Sequence, residues 1–213
     1  PVSARLGLVT VVFVLAAAIP MGILAALKNG KWQDMLLMAL ATIGVTIPSF
    51  VIASLLIYVF SYMLNWLPTF GLDSWQGYIL PVIALGGYSV SYIARLMRSS
   101  LLEVMGQDYI RTARAKGLTE FAVVAKHALR NALIPVVTVL GPTIAGLLTG
   151  SFVIERIFAI PGLGFYFVNS VSQRDYTTIM GMTIFYAAFL MAMVLLVDIF
   201  YCLIDPRIKF ENN

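Results

Sequence analysis

The sequence predicts an all-α polytopic membrane protein with five transmembrane helices in its 213 residues. Three observations predict it. Hydrophobic residues make up 61% of the chain and charged residues only 11%. Soluble domains carry about 25% charged residues, so this chain has too few to cover a water-facing surface. Apolar runs of about 20 residues recur along the chain, the length that crosses a bilayer as a helix. These runs are too long and continuous for the alternating ten-residue pattern of a barrel strand. Backbone groups in hydrocarbon must be satisfied internally, which leaves helices.

The spans are read in order as Gly7–Leu27, Met35–Leu64, Ile79–Leu96, Leu133–Ile154 and Thr178–Ile204. The first is roughly 31 Å long as a helix. The second is long and carries Gly44 and Pro48 in its middle. A proline there kinks a helix. It reads either as a bend shaping a path or as ordinary packing of a tilted span. Gly86 and Gly87 in the third span, and Gly141, Gly146 and Gly150 in the fourth, allow close helix contact. Whether that contact is internal or with a second subunit stays open. Asp198 is the exceptional charge inside a span; it reads as paired with a neighbouring helix or as hydrated near the interface.

Lys and Arg set the orientation. The segments 28–34, 95–132 and 205–213 hold 11 of the 14, and the remaining three are Arg5, Arg156 and Arg174. The first set is therefore expected in the cytoplasm, with the C-terminus inside and Pro1 outside. The start Pro1-Val2-Ser3, without a methionine, reads as the interior of a longer protein, one more upstream span returning its N-terminus inside. Trp66 and Trp75 flank an external loop as interfacial aromatics, and Trp32 marks the inner boundary.

The cytoplasmic loop, about 97–132, reads as helix, glycine turn, helix. Asp108 is placed as N-cap of a helix Tyr109–Lys116. Arg114 and Lys116 fall in its last turn, where cations suit the helix dipole. Gly117 is a natural left-handed stop before Leu118, and Thr119 caps a second helix starting near Glu120. Thr112, Ala113 and Ala115 are small enough to let another surface approach, and Arg111 and Arg114 project between them toward carboxylates of a partner. A basic loop that only obeys the positive-inside rule or touches anionic lipid is the competing reading.

RTARAKG at Arg111–Gly117 and HALRNALIP at His127–Pro135 resemble the cytoplasmic signature of binding-protein-dependent ABC-importer permeases. Arg111 and Thr112 depart from the general signature, which Ala113 and Gly117 match. Arg130 stands where its proline is expected, and Pro135 follows five residues later. That variant is similar to the peptide permeases. GSFVIERIFAIPGLG at Gly150–Gly164, QRDY at Gln173–Tyr176, DPRIKF at Asp205–Phe210 and PVSARLG at Pro1–Gly7 agree with it across the chain.

The resemblance implies the type I permease domain of a bacterial or archaeal cytoplasmic membrane protein, embedded in lipid. It implies a second permease as partner and cytoplasmic ATPase subunits that bind the ATP. It also implies an extracytoplasmic binding protein delivering oligopeptides or dipeptides, with nickel or another small solute as the alternative. Ala113–Gly117 would then be a coupling helix seated on the ATPase. The segment with Glu155, Pro161, Gly162 and Gly164 would face the binding protein and the outer gate, or else be a connector.

No residue is expected to hold a cofactor or metal, and no nucleic acid partner is expected. One cysteine and one histidine cannot build a disulfide or a four-ligand zinc site. A phosphate-cradling G-x-x-x-x-G-K-[ST] loop is missing, and AKGLT at Ala115–Thr119 has its lysine on the wrong side of the glycine. An intramembrane hydrolase is disfavoured because Ser89 and Ser151 lie in spans while His127 lies in the loop. An ion-coupled carrier would bury more acidic groups. Glu155 and Arg156 are expected to form weak local ion pairs. Phe158, Phe165, Tyr166 and Phe167 are expected to anchor the outer loop at the interface.

Overall fold

The computed structural model describes residues 2–204, without the side chains of 197, 198, 200 and 201–204. The side chain of Asp198, and the DPRIKF segment from Asp205, lie outside the described residues.

The chain is a succession of helices. Helix α1 (Val2–Leu27) is long and apolar and tolerates Pro20 inside it. A turn with Gly30 at φ +74° leads into α2 (Trp32–Thr46). The expected second span is not one continuous helix. Ile47 is extended, at φ −87° and ψ 126°, and helix resumes as α3 at Ser49–Leu56, widening into a π-helical stretch Ile57–Met63. Pro48 drives the break: its ring excludes the preceding residue from the helical region. A simple tilt of an unbroken span is therefore ruled out at this position.

Helix α4 runs Trp75–Met105, longer at both ends than expected. The loop thus begins near Gly106 rather than at 97. Short α5 (Asp108–Ala115) is followed by α6 (Glu120–Ala122), a π-helical Val123–Ala128 and α7 (Leu129–Ala132). Helix α8 (Ile134–Thr149) ends where Gly150 takes φ +83°. What was expected to be an outer loop is mostly helical, with α9 (Phe152–Ile157) and α10 (Leu163–Gln173). Arg174 stops α10 in the left-handed region, and Asp175 caps α11 (Tyr176–Ile204) by accepting from Thr178 N at 3.1 Å. The Thr178 hydroxyl at 2.5 Å and that amide hold the Asp175 carboxyl below the usual carboxylate range.

By length and composition four stretches can cross a membrane: Val2–Leu27, Trp75–Met105, Ile134–Ile157 and Tyr176–Leu196. If the broken pair Trp32–Thr46 and Ser49–Met63 is counted as one span, there are five. The residues divide into two compact units. One holds residues 2–11, 49–85 and 140–204; the other holds Val12–Pro48 and Gly86–Val139.

Candidate functional site

In the second unit, α4 leads into α5 across a tight turn at Gly106 and Gln107. Gln107 N donates to Val104 O at 3.1 Å. Gln107, extended at ψ 151°, is the N-cap, and Asp108 is the first helical residue. The expected Asp108 cap is thus displaced by one position, because the helical hydrogen-bond ladder already starts from the Gln107 carbonyl, which accepts from Arg111 N at 3.3 Å. Asp108 instead faces Arg111 at 3.3 Å. Lys116 is the C-cap residue, and Gly117 follows at φ +78°, as its position predicts. Thr119 caps the next helix, its hydroxyl accepting from Ala122 N at 3.4 Å.

Helix α5 is seated by its buried Ile110 and Ala113, beside the buried Val123, Val124 and Ala128 of the following segment. Asn131 donates to the Tyr109 hydroxyl at 2.7 Å. Arg114 pairs with Glu120 at 2.7 Å, so both arginines of α5 have carboxylates within the chain. Both pairs are exposed and worth little, so another surface can exchange them. Tyr109, Thr112, Ala113, Lys116, Leu118 and His127 line a shallow hollow of about 280 Å³. Ala115 and Arg111 are exposed, and Phe121 is 84% exposed.

A feature missed in the sequence sits in the same unit. Arg98 grips Asp34 in a forked pair, Nε to Oδ1 at 2.6 Å and Nη2 to Oδ2 at 2.7 Å. The same Nη2 donates to Asn29 Oδ1 at 2.9 Å, and Gly30 N donates to Asp34 Oδ2 at 3.0 Å. The α1–α2 turn is thereby fastened to α4 seven residues before that helix ends. A lone aspartate three residues after Lys31 was the available signal.

In the first unit, the GSFVIERIFAIPGLG segment folds around Glu155. Glu155 is fully buried and does not pair with Arg156, contrary to expectation. Its Oε2 accepts from Gly164 N at 2.7 Å and from Phe165 N at 3.3 Å. Ser3 Oγ accepts from Leu163 N at 2.9 Å and adjoins the same carboxylate. The first amides of α10, which no helix can satisfy for itself, are thus taken by side chains from α1 and α9. The N-cap residue Gly162 has no side chain to do this. A Cβ on Gly162 would strike Ser3 and the Glu155 carboxylate, and one on Gly164 would come within 2.7 Å of Phe152 Cα. Pro161 precedes this cap. Arg156 instead donates to Asn169 at 2.8 Å and lies 5.2 Å from the Phe165 ring centre. Phe158 is 1% exposed and belongs to the core rather than to an interfacial anchor, its carbonyl accepting from Gly71 N at 3.1 Å. Phe167 stacks on Phe152 at 4.8 Å.

Residues 18–210 match the family model described as binding-protein-dependent transport system inner membrane component. The chain is 51% identical, over its whole length and 69% of the relative, to the dipeptide transport system permease protein DppB of Bacillus subtilis. It is 44% identical, over 99% of itself and 69% of the relative, to the oligopeptide transport system permease protein OppB of Haemophilus influenzae. It is 46% identical, over 94% of itself and 64% of the relative, to the glutathione transport system permease protein GsiC of Escherichia coli. Its fold resembles a chain of the inward-facing MetNI methionine ABC transporter, with TM-score 0.69, 21% identity and coverage of 92% of this chain and 91% of that one. It also resembles an amino acid ABC transporter chain, with TM-score 0.66, 19% identity and coverage of 93% and 88%.

Proposed function

Because the chain belongs to the family of inner membrane components of binding-protein-dependent transport systems, we propose that it is the permease subunit through which a peptide importer passes its substrate. The observation that carries the peptide reading is the 51% identity to a dipeptide permease over the whole chain. These 213 residues carry no phosphate cradle, which supports separate ATPase subunits as the source of energy.

The α5 segment is the point of attachment of such an ATPase. It is a short, capped helix seated on Val123–Ala128 through Ile110 and Ala113, with an adjoining hollow and the exposed Tyr109, Leu118 and Phe121. In this reading α5 lies in the cytoplasm with the C-terminus, which the placement of 11 of the 14 basic residues supports. The Glu155–Gly164 segment lies on the opposite side, toward the binding protein and the outer gate. A second, similar permease completes the translocation unit. The break at Pro48 supplies a bend in one wall.

The test is purification of the full-length protein from native membranes with identification of its companions, followed by uptake in vesicles. An ATPase, a second permease and a peptide-binding protein are expected, with uptake of di- and oligopeptides. Companions lacking an ATPase would sink the reading. Uptake of nickel or a glycan instead of peptides would replace only the substrate.

A further inference from the structure

We propose that Tyr88 and Tyr92 of α4 line the aqueous route of the translocated solute and contact it there. Past its exposed first turn at Trp75 and Gln76, the exposed residues of α4 fall on one stripe. Tyr88 is 56% exposed, Tyr92 is 40% exposed and Ser99 is also exposed, with Arg95 partly so between them. At 3.6 residues per turn these four fall within about 60° of arc. The two rings stack at 6.3 Å with planes 3° apart.

The adjoining faces of α4 are closed by its own unit. A Cβ on Gly44 of α2 would meet Ser91 Oγ and come within 3.0 Å of the Gly87 carbonyl oxygen. One on Gly22 of α1 would come within 2.6 Å of the Ala94 carbonyl oxygen and meet the Met97 side chain. These close approaches cover the side of α4 away from the stripe.

The open stripe has the wrong chemistry for lipid. Tyr88 lies about 20 Å from Trp75 and about 26 Å from Met105 along the helix, at 1.5 Å per residue, so it is near the middle of the span. Tyrosines suit the membrane interface, where the hydroxyl is wet. In hydrocarbon an unpaired hydroxyl costs several kcal/mol, and neither phenol hydroxyl has a hydrogen-bond partner among the described residues. On α11, by contrast, the exposed Met180, Ile184, Met191 and Leu195 have the apolar composition that suits lipid. The α4 stripe offers two phenols, the Arg95 guanidinium and, near the end of the helix, the Glu103 carboxylate, while the Ser99 hydroxyl is already donated to Leu96 O at 3.0 Å. Phenols donate to peptide carbonyls, and their faces take apolar side chains without demanding one sequence.

The identity of the solute rests on the peptide reading above; the aqueous route does not. The test uses the full-length permease in its complete transporter in proteoliposomes, with native cysteines replaced. Tyr88→Cys, Tyr92→Cys and Ile184→Cys are each exposed to a charged, water-soluble methanethiosulfonate. Thiolate forms only where water reaches, so labelling at 88 and 92 is expected about ten-fold faster than at 184. The rate should change between nucleotide-free and ATP-trapped transporter. Labelling no faster than at 184 in either state, through lipid exposure or permanent burial against the second permease, overturns the proposal. Fast labelling that ignores the nucleotide state also overturns it, since that describes a fixed crevice. Tyr88→Phe and Tyr92→Phe keep the rings and guard against misfolding: a several-fold rise in KM for uptake is expected, and an unchanged KM in both overturns the contact. If the unsubstituted transporter imports no peptide, the peptide reading fails while state-dependent labelling still holds the route.

Discussion

Glu155 Oε2 and Gly164 N are joined by a 2.7 Å hydrogen bond that makes a buried carboxylate the remote cap of α10. Phe165 N shares that oxygen at 3.3 Å. Removing the carboxylate strands both amides in a dry site, at about 1–3 kcal/mol each. Glu155→Ala is therefore expected to lower the thermal unfolding temperature of the detergent-solubilised protein by several degrees. Glu155→Gln keeps an accepting oxygen and should lose less. Equal losses for the two variants would show that the capping bonds contribute little.

Two glycines, Gly164 beside this carboxylate and Gly146 in α8, make a sharper test. Gly164→Ala drives a Cβ to 2.7 Å from Phe152 Cα, a backbone atom that cannot swing aside. Gly146→Ala meets nothing within 4 Å, and in a helix interior alanine is favoured over glycine by up to about 1 kcal/mol. Gly164→Ala should reduce folded yield and thermal stability, whereas Gly146→Ala should hold or raise both. Fluorescence-detected size exclusion of the two variants decides it. A tolerated Gly164→Ala would mean that α9 and α10 are not packed as closely as described.

Apolar run length made the spans legible, since about 20 apolar residues have few other homes. Gly117 and Thr119 were legible because left-handed stops and hydroxyl caps are local and depend on immediate neighbours. The break at Pro48 was half legible: proline announces a disruption, but not whether the helix bends or stops. The Glu155 latch was hidden because its partners are a serine in the first turn of the chain and two amides that no side-chain pattern reveals. Arg98 was likewise read as one more positive-inside charge, although its partner Asp34 lies 64 residues away. The π-helical stretches at Ile57–Met63 and Val123–Ala128 carry no signal that distinguishes them from ordinary helix.

The Arg98–Asp34 pair is nearly dry on one side: the Asp34 side chain is 6% exposed and that of Arg98 is 26%. Breaking a buried pair by removing one partner costs about 3–5 kcal/mol, reduced here because the guanidinium still reaches solvent. Arg98→Ala and Asp34→Asn should each destabilise the protein clearly. The charge-reversed double variant Asp34→Arg with Arg98→Asp should recover part of that loss, the excess over additivity measuring the coupling. Strictly additive losses would mean that the forked geometry does not matter to stability.

The last prediction separates seating from signalling at α5. Gly117 stands in open space at φ +78°, so a side chain there meets no neighbour and strains only the backbone, by about 1–2 kcal/mol for an L-residue. Ala113 is 6% exposed, facing the hollow between α5 and the segment carrying His127. Ala113→Trp would push α5 off Val123–Ala128 without touching any span. Both Gly117→Asp and Ala113→Trp should leave membrane insertion and yield near normal, because α5 contributes little to the transmembrane packing. Peptide uptake should fall by an order of magnitude or more if ATP-driven motion enters the chain here, since a displacement of about 1 Å in a positioned element can cost 10²-fold. Binding of the ATPase subunit should weaken for Ala113→Trp more than for Gly117→Asp, which alters the exit of the helix rather than its seat. Normal ATPase association together with normal uptake in both variants would remove α5 from the coupling path.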